Sequence, residues 1–388
     1  MKVHKIYLSI FFCFTSLLSF SNDNGQSGFS VITIGPYENE LYSAFGHSGI
    51  RYYNKNTGED YFYNYGIFDF EQPNFYLNFL NGRLLYKVGK YSYPAAKNYY
   101  IDQNRFVKEQ FLNLDQSEEI LLYNYLEQNI QPENANYLYN YVYDNCATKI
   151  RDILSEVIGD QLYFSEVPGD VSFRNLMDIY LNNNLWGDLG IDICLGPEID
   201  RIISYEDKMF IPDFLFESLE KANIGKSNEL VKETVMLNPS ITQEFRGNIL
   251  TPNMIFFIFF IFIITISFRQ IKYDISYNLI DFFIFLSTGI IGLLLSYLWL
   301  FTDHLSGNNF NLVWALPSNI LICFQFIKIF SRKVLVNYLI LYSSFLIALF
   351  LMWNIIPQNL NESLILLILG ILVRALTNIL CISRSAVQ

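Results

Sequence analysis

The chain has 388 residues, 52% of them hydrophobic and only 16% charged, and its 26 Lys and Arg against 37 Asp and Glu give a formal charge of −11. Soluble domains are nearer a quarter charged, so the composition excludes a disordered chain and argues against a wholly soluble one. Residues 251–388 carry a net +3 and the remainder −14. A front part this acidic is unsuited to nucleic acid, whose phosphates require Lys and Arg.

The first 21 residues are predicted to be a secretory signal peptide. Lys2 and Lys5 form a basic start, residues 6–20 are apolar, and residues 19–21 are a small-x-small cleavage signal. We expect cleavage near Ser21. An uncleaved anchor helix is the alternative, because the apolar stretch is only slightly shorter than a membrane span.

Residues 22–247 are predicted to form an exported α+β domain. Alternating apolar residues predict strands over 29–34, 48–53, 61–68, 84–91 and 105–114. Asp115 and Glu118 have the spacing of a capping box, which predicts a helix after Asp115. Residues 146–158 also have helical spacing, with Ile150, Ile153 and Leu154 on one face. Cys194 lies in a segment that alternates like a buried strand.

Five apolar stretches in residues 251–388 predict a helical transmembrane domain. They cover residues 252–268, 279–301, 315–330, 334–353 and 363–382, and each approaches the roughly 20 residues that a bilayer requires, although the third contains Pro317. The basic residues of the connecting segments follow the first, third and fifth stretches, whereas residues 302–314 and 354–362 contain no Lys or Arg. The positive-inside rule therefore predicts a cytoplasmic C-terminus and agrees with the signal peptide in exporting residues 22–247.

The cysteine and histidine content argues against a metal site. No CxxC pair occurs, and the only histidines are His4, His47 and His304. A zinc site of the usual Cys and His spacing is therefore not available, and we expect neither a metal nor another cofactor. The exported domain holds two cysteines, Cys146 and Cys194, so one disulfide at most can form there.

One histidine and one cysteine of the exported domain are placed as a catalytic pair would be. His47 stands just before a predicted strand, and Cys146 stands between a strand-like segment and a predicted helix. The unsatisfied N–H groups at a helix start stabilise a thiolate and hold a developing oxyanion. A thiolate beside an imidazole base is an activated nucleophile. The alternative for Cys146 is a small inert buried thiol.

Several short segments resemble the Lnb-type lipoprotein N-acyltransferase family. They are Gly35-Pro36 with residues 40–43, residues 45–48, residues 64–66 with 68–70, residues 144–148, and residues 302–304 with 311–314. The order of His first and Asn-Cys later also resembles circularly permuted papain-like folds of the NlpC type. The resemblance implies such a fold for the exported domain, followed by an all-α five-helix transmembrane domain.

The resemblance also implies a reaction. The exported domain would move an acyl chain from a membrane phospholipid, through a Cys146 thioester, to the α-amino group of a diacylglyceryl-cysteine at a lipoprotein N-terminus. Cys146 carries over as nucleophile and His47 as general base. Asn64 is our candidate for the group that orients the imidazole, with a turn or edge-strand amide as the alternative.

The same resemblance indicates substrate-binding residues and a location. Asn145, Ser48 and His304 are the candidate binding residues, and His304 is alternatively an ordinary residue of the membrane interface. The partners would be a phospholipid donor, a lipoprotein acceptor and the membrane. The protein would be a multi-pass protein of the bacterial inner membrane with its catalytic domain in the periplasm.

Other functions fit parts of the sequence. A membrane-anchored cysteine peptidase or amidase of the cell envelope shares the Cys-His pair but does not explain five spans. A non-catalytic envelope binding protein needs no reactive thiol. A phospholipase, in which water replaces the amine, uses the same first step.

Overall fold

The computed structural model describes residues 27–384 apart from 38–39, 41–42, 70, 166–168, 240–249 and 328–330. The predicted signal peptide and the predicted domain boundary near residue 247 lie outside the described residues. The first described element of the exported domain begins at Ser27, and that of the membrane domain begins at Pro252.

The exported domain is built on a seven-stranded antiparallel sheet. The strands of the domain are β1 Ser27–Ile34, β2 His47–Asn54, β3 Glu59–Ile67, β4 Leu84–Ser92, β5 Val107–Leu112, β6 Asn136–Tyr139, β7 Leu162–Tyr163, β8 Asn223–Ile224, β9 Asn228–Glu229 and β10 Val231–Asn238. Their order across the large sheet is β10-β5-β1-β2-β3-β4-β6, while β7, β8 and β9 form a small separate sheet. The five predicted strands are thus confirmed as β1 to β5, with ends that differ by a few residues.

Eight helices surround this sheet in the described part of the domain. They are α1 Phe75–Leu80, α2 Tyr93–Asp102, α3 Gln116–Asn129, α4 Cys146–Ile158, α5 Phe173–Leu181, α6 Leu185–Cys194, α7 Tyr205–Lys208 and α8 Pro212–Glu220. The predicted capping box begins α3, because the Asp115 side chain accepts bonds from the Ser117 and Glu118 amides at 2.7 and 2.9 Å. The α+β class predicted from the sequence is confirmed.

The two faces of the sheet carry different cores. The predicted apolar face of α4, with Ile150, Ile153 and Leu154, is buried against sheet residues that include Ile50 and Tyr63. On the opposite face, residues of α2 pack on a second cluster, whose members are Ile32, Ile34, Phe62, Tyr93, Tyr100 and Val107. Each fully buried aliphatic or aromatic side chain contributes about 1.5–3 kcal/mol to folding. The first cluster therefore holds α4, and with it Cys146, firmly on the sheet.

The prediction of a strand around Cys194 is wrong. Residues 191–194 form the last turn of α6, and the alternation of apolar residues there is too short to separate a strand from a helix. The Asn184 side chain begins this helix by accepting a bond from the Gly187 amide at 3.0 Å. Cys194 is half-buried, and both Cys146 and Cys194 are free thiols.

Four described helices are long and apolar enough to cross a membrane. They are α9 Pro252–Tyr273, α10 Asn278–Phe301, α12 Arg332–Leu351 and α13 Leu364–Arg384. They correspond to the first, second, fourth and fifth predicted spans. Helix α13 packs against both α9 and α12.

The third predicted span, residues 315–330, differs from a continuous helix. It holds the short helix α11 Asn319–Cys323 and a 3₁₀ turn over Phe324–Ile327, and residues 328–330 are outside the described chain. Pro317 lacks an N–H group, so an α-helix cannot continue through it from the preceding residues without losing a hydrogen bond.

This broken segment packs closely against α10 through two glycines. A Cβ atom on Gly292 would lie 2.0 Å from the Ala315 oxygen, and one on Gly289 would lie 2.5 Å from the Ile320 nitrogen. Later residues of the segment thus meet earlier residues of α10. The segment runs antiparallel to α10, which is the direction predicted for the third span.

Arg374, within the last predicted span, is paired rather than free. Its guanidinium forms a two-fold contact with the Asp281 carboxylate at 2.8 and 2.6 Å, and both side chains are fully buried. Ser267 and Gln270 of α9 accept further bonds from it at 3.1 and 2.9 Å. A cation inside the membrane region is costly unless it is compensated in this way.

Both lysine-free loops of the transmembrane domain contact the exported domain. The Asn311 amide donates to the Asp192 carbonyl at 2.9 Å, and the Gln358 amide donates to the Leu195 carbonyl at 2.9 Å. Asn361 donates to the Asp192 carboxylate at 2.8 Å. The exported domain therefore packs directly against the loops at the ends of the membrane helices.

Candidate active site

Cys146 is the first residue of α4, and the preceding residue holds it there. The Asn145 side chain accepts bonds from the Ala147 and Thr148 amides at 2.9 and 3.1 Å, and the Thr148 hydroxyl accepts the Asn145 amide at 2.8 Å. This reciprocal capping box makes Cys146 the first residue of the helix, so that the sulfur lies at the positive end of the helix dipole. Cys146 is only 8% exposed.

His47 is the first residue of β2, and a glycine turn precedes it. Gly46 has a φ of +84°, and a Cβ atom there would lie 2.8 Å from the Ile34 oxygen, so the turn requires glycine. The Nε2 atom of His47 is 2.8 Å from the Oδ1 atom of Asn64 on β3. An amide oxygen only accepts hydrogen bonds, so Nε2 carries the proton and Nδ1 is the basic nitrogen.

The structure brings the Cys146 sulfur to the strand that carries His47. The backbone amides of Ser48, Ala147 and Cys146 itself each lower the pKa of the thiol, so these three N–H groups lie near the sulfur. Ser48 directly follows His47 in the chain. A group of amides in this arrangement is suited to hold negative charge on sulfur or on an adjacent oxyanion.

Burial keeps both titrating groups neutral at rest. Removal from water raises the pKa of Cys146 to about 11, more than the amides and Arg105 lower it. Burial and the charge of Arg105 lower the pKa of His47 to about 4, against the raising effect of the Asn64 bond. At neutral pH the site therefore holds a thiol and an unprotonated imidazole, which is available as a base.

A second glycine leaves room for the imidazole. A Cβ atom on Gly66, at the end of β3, would lie 3.0 Å from Cε1 of His47 and 3.4 Å from Oδ1 of Asn64. A side chain at Gly66 would therefore crowd the imidazole of His47, while its Cβ atom would be in ordinary contact with the Asn64 oxygen.

Arg105 is a site residue that the sequence did not reveal. It is 4% exposed, its Nε donates to the Gly35 carbonyl at 2.6 Å, and its guanidinium lies 5.2 Å from the centre of the Tyr100 ring. Its Nη2 atom has no hydrogen-bond partner among the described residues. The Tyr100 ring is 6.1 Å from that of His47. A single Arg before a strand carries no sequence signal that separates it from a surface residue.

Tyrosines form another side of the site that the sequence analysis left out. Burial raises the pKa of three tyrosines, and the nearby Cys146, when it is ionised, raises it further. These are Tyr86, Tyr137 and Tyr139. The rings of Tyr86 and Tyr139 are stacked with centroids 4.3 Å apart, and those of Tyr86 and Tyr137 are 6.5 Å apart. The high tyrosine content of the chain concealed this cluster.

The three predicted substrate-binding residues lie in different surroundings. Asn145 is fully engaged, since its Nδ2 donates to the Tyr141 and Phe210 carbonyls at 2.9 Å in addition to the capping bonds, and it has no donor or acceptor left for a substrate. Ser48 is buried beside the sulfur, and its hydroxyl has no partner within the described chain. His304 lies apart from the pair, with its Nε2 atom 3.0 Å from the Phe79 carbonyl.

One acidic cluster in the described residues has the spacing of a metal site. Ligand atoms of Asp178, Asp188 and Asp192 lie within 4.8 Å of one another. Burial, followed by the neighbouring carboxylates, raises the pKa of Asp178 to about 7 and that of Asp188 to about 6. Arg174 and Asn361 contact Asp192. The raised pKa values of Asp178 and Asp188 and the contacts of Asp192 explain how three carboxyl groups can lie close together. The cluster is part of the contact between the exported domain and the membrane helices.

Comparison with known families matches both parts of the chain. Residues 23–178 match the Lnb N-terminal periplasmic domain, and residues 243–386 match the Lnb transmembrane domain. No curated protein and no solved structure matches the chain. The two matches have the order of the exported and membrane parts seen in the structure, although the first ends at residue 178 and the exported part continues to β10. They support an inner-membrane protein with an exported N-terminal domain. The chain belongs to the Lnb-type family.

Proposed function

We propose that this protein is a lipoprotein N-acyltransferase in which Cys146 is the nucleophile, His47 the general base and Asn64 the orienting residue. The observation that carries the proposal is the packing of α4, which begins at Cys146, against β2, which begins at His47. Asn64 holds the imidazole there, and the nearby Ser48 amide lowers the pKa of the thiol. The exported domain also packs against the membrane helices, and both lipid substrates lie in the membrane.

The first step acylates the enzyme. Nδ1 of His47 takes the proton of the Cys146 thiol as the sulfur attacks the carbonyl carbon of a phospholipid ester, and the backbone amides hold the resulting oxyanion. The ester C–O bond then breaks, and His47 returns its proton to the leaving oxygen. A lysophospholipid and a Cys146 thioester are formed. Since the thiol is neutral at rest, its proton moves only as the attack proceeds.

The second step transfers the acyl chain to the lipoprotein. The neutral α-amino group of the S-diacylglyceryl-cysteine attacks the thioester carbon, and His47 takes a proton from that nitrogen. The C–S bond breaks, the sulfur recovers the proton from His47, and an amide is formed. Both substrates are anchored in the bilayer, so the attachment of the exported domain to the membrane helices raises their local concentration at the site.

We further infer that the C-terminus lies in the cytoplasm. Contacts between both lysine-free loops and the exported domain, such as those of Asn311 with Asp192 and of Gln358 with Leu195, support the exported side for these loops. Arg332, at the opposite end of α12, then lies on the cytoplasmic side, as the positive-inside rule requires. A reporter that fluoresces only in the cytoplasm, fused after residue 388, is expected to be active. A periplasmic reporter at that position is expected to be silent, and the reverse result contradicts the topology.

The decisive experiment is expression in a bacterial strain that lacks its own lipoprotein N-acyltransferase. Mass spectrometry of a purified lipoprotein N-terminus is expected to show one added acyl chain with the wild type and none with Cys146→Ser or His47→Ala. Cys194→Ser is the matched control, because Cys194 is a free thiol outside the site and its loss is expected to leave acylation intact.

The products distinguish the rival functions. Lysophospholipid release without lipoprotein acylation would identify a phospholipase, and shortened envelope peptides without either product would identify a peptidase or amidase. Full acylation by Cys146→Ser at normal protein level would contradict the thiol mechanism. Each of these results overturns the proposal.

A further inference from the structure

Helix α1 carries apolar side chains on the outside of the exported domain. None of its six residues is buried, and it contains no charged residue. Tyr76 is 79% exposed, Leu77 53% and Phe79 54%. Isolated exposed apolar residues are common, but a whole helical turn of them marks a contact surface.

The end of α1 is fixed to the exported end of the membrane helix α10. The Tyr297 hydroxyl donates to the Asn81 side-chain oxygen at 2.6 Å, and the Asp303 amide donates to the Asn81 carbonyl at 2.9 Å. His304 meets the Phe79 carbonyl at 3.0 Å. Gly82 permits this approach, because it has a φ of +72° and a Cβ atom there would lie 2.9 Å from the His304 nitrogen.

This attachment sets the height of α1 relative to the membrane. Leu300 and Phe301, the last residues of α10, are 65% and 69% exposed and are apolar, as is typical of side chains that face lipid. Tyr297 lies about one helical turn before them, roughly 6 Å along the axis. The exposed residues of α1 therefore lie close to the exported end of α10, at the outer edge of the membrane domain.

Aromatic rings connect α1 with the interior of the domain. The ring of Phe79 is 6.3 Å from that of Phe75, which is 6.3 Å from Phe68. Phe68 is 5.2 Å from Tyr86, and Tyr86 stacks on Tyr139 at 4.3 Å. We call these five residues the aromatic row.

The inner end of the row lies beside the buried cluster that contains Cys146. Tyr137 is next to Tyr86 and packs on the same buried cluster as Cys146. Its ring is also 4.8 Å from the Lys149 ammonium, in the first turn of α4. A row of aromatic rings thus runs from the exposed helix α1 to the buried cluster that contains Cys146.

We propose that α1 inserts into the outer leaflet of the membrane and that the aromatic row guides the acyl chain of the lipid donor from there to Cys146. The part of this inference that concerns acyl delivery rests on the proposed function. The occupant of the exposed face of α1 is the acyl region of lipid, because the face is uncharged and is attached at the exported end of the membrane helix α10. A protein partner on this face is the competing outcome of the test.

Membrane insertion is tested without any catalysis. A fluorophore on Leu77→Cys, in a chain whose native cysteines are changed to Ser, is read in phosphatidylethanolamine and phosphatidylglycerol vesicles that contain a doxyl-labelled lipid. Strong quenching is expected. The matched control is Leu121→Cys on α3, which is 55% exposed and whose label is expected to remain unquenched. Equal quenching at both positions, or none at Leu77, would overturn the insertion of α1.

Acyl delivery is tested by the choice of acyl donor. Leu77→Glu places a charge on the inserted face and is expected to lower Cys146 acylation from phospholipid vesicles by about tenfold or more. Acylation by a short water-soluble ester is expected to be unchanged, which also shows that the variant is folded. Leu121→Glu is expected to leave both reactions unchanged. An equal loss with both donors would overturn the delivery role.

The row itself is tested with a photoreactive donor. A phospholipid that carries a diazirine at the end of its acyl chain is expected to crosslink within residues 68–86 or 137–139 of the Cys146→Ser protein. Crosslinks confined to the membrane helices would overturn the path. If quenching and crosslinking occur but lipoproteins gain no acyl chain, the proposed function fails alone. If acylation occurs without quenching, the insertion of α1 fails alone.

Discussion

The Nε2 atom of His47 lies 2.8 Å from the Oδ1 atom of Asn64, and this contact assigns the free lone pair of the imidazole to Nδ1. The two residues are on neighbouring strands, β2 and β3. Their contact leaves Nδ1 available for the base catalysis that we propose for this site.

Replacement of Asn64 tests this orientation. Asn64→Ala removes the bond that fixes the ring, and we expect acyl transfer to fall by about a hundredfold, as misplacement by 1 Å can cost. Because the Asn64 bond raises the pKa of His47, its loss is expected to shift the acid limb of the pH–rate profile to lower pH. Asn64→Asp supplies a charge that favours imidazolium and is expected to shift the same limb upward. A fall in rate without opposite shifts would indicate a purely structural role.

The pH dependence of Cys146 alkylation tests the electrostatics of the site. With the pKa of the thiol at about 11, only about one molecule in a thousand carries the thiolate at pH 8, so iodoacetamide is expected to react slowly and faster toward pH 11. Arg105 lowers this pKa, so Arg105→Gln is expected to slow alkylation further at pH 8 and Arg105→Lys to preserve it. The measurement uses a chain whose other cysteines are changed to Ser. A midpoint near pH 9 in the wild type would contradict the burial of the thiol.

Two glycine-to-alanine changes separate crowding of the imidazole from a general effect on folding. Gly66→Ala brings a methyl group to 3.0 Å from His47, and we expect about a tenfold or larger loss of acyl transfer from the displaced ring. Gly190→Ala in α6 meets no atom within 4 Å and is expected to stabilise the fold by up to about 1 kcal/mol without a change in activity. Unchanged activity of Gly66→Ala would mean that the ring has room to move.

The buried pair in the membrane domain predicts a stability cycle. Arg374→Met leaves the Asp281 carboxylate buried without its partner, and we expect a loss of about 3–5 kcal/mol. Replacement of both residues, Arg374→Met with Asp281→Leu, removes the uncompensated charge and is expected to recover most of that stability. Thermal unfolding in detergent measures the effect. A double variant no more stable than Arg374→Met would show that the pair does not couple.

The sequence by itself determined the features whose causes are local. The capping box of Asn145 and Thr148 begins α4 with hydrogen bonds between residues at most three positions apart. The first five strands, the apolar membrane helices and the distribution of lysines are also periodicities or counts within short windows. For that reason Cys146 at a helix start and His47 at a strand start were accessible without coordinates. The local pattern predicted the wrong element where the helical and the strand periods fit equally well, as at Cys194 in α6.

Only the tertiary structure decided which groups meet. The register of the sheet brings Asn64 to His47, and the packing of α4 on β2 brings the Ser48 amide to the Cys146 sulfur across nearly a hundred residues. The burial of Arg105, and with it the charge beside the site, likewise comes from contacts with distant chain segments. The exposure of α1 at the end of α10 depends on residues more than two hundred positions apart. Such contacts depend on strand register and helix packing, which are collective properties of the folded chain, and no window of sequence contains them.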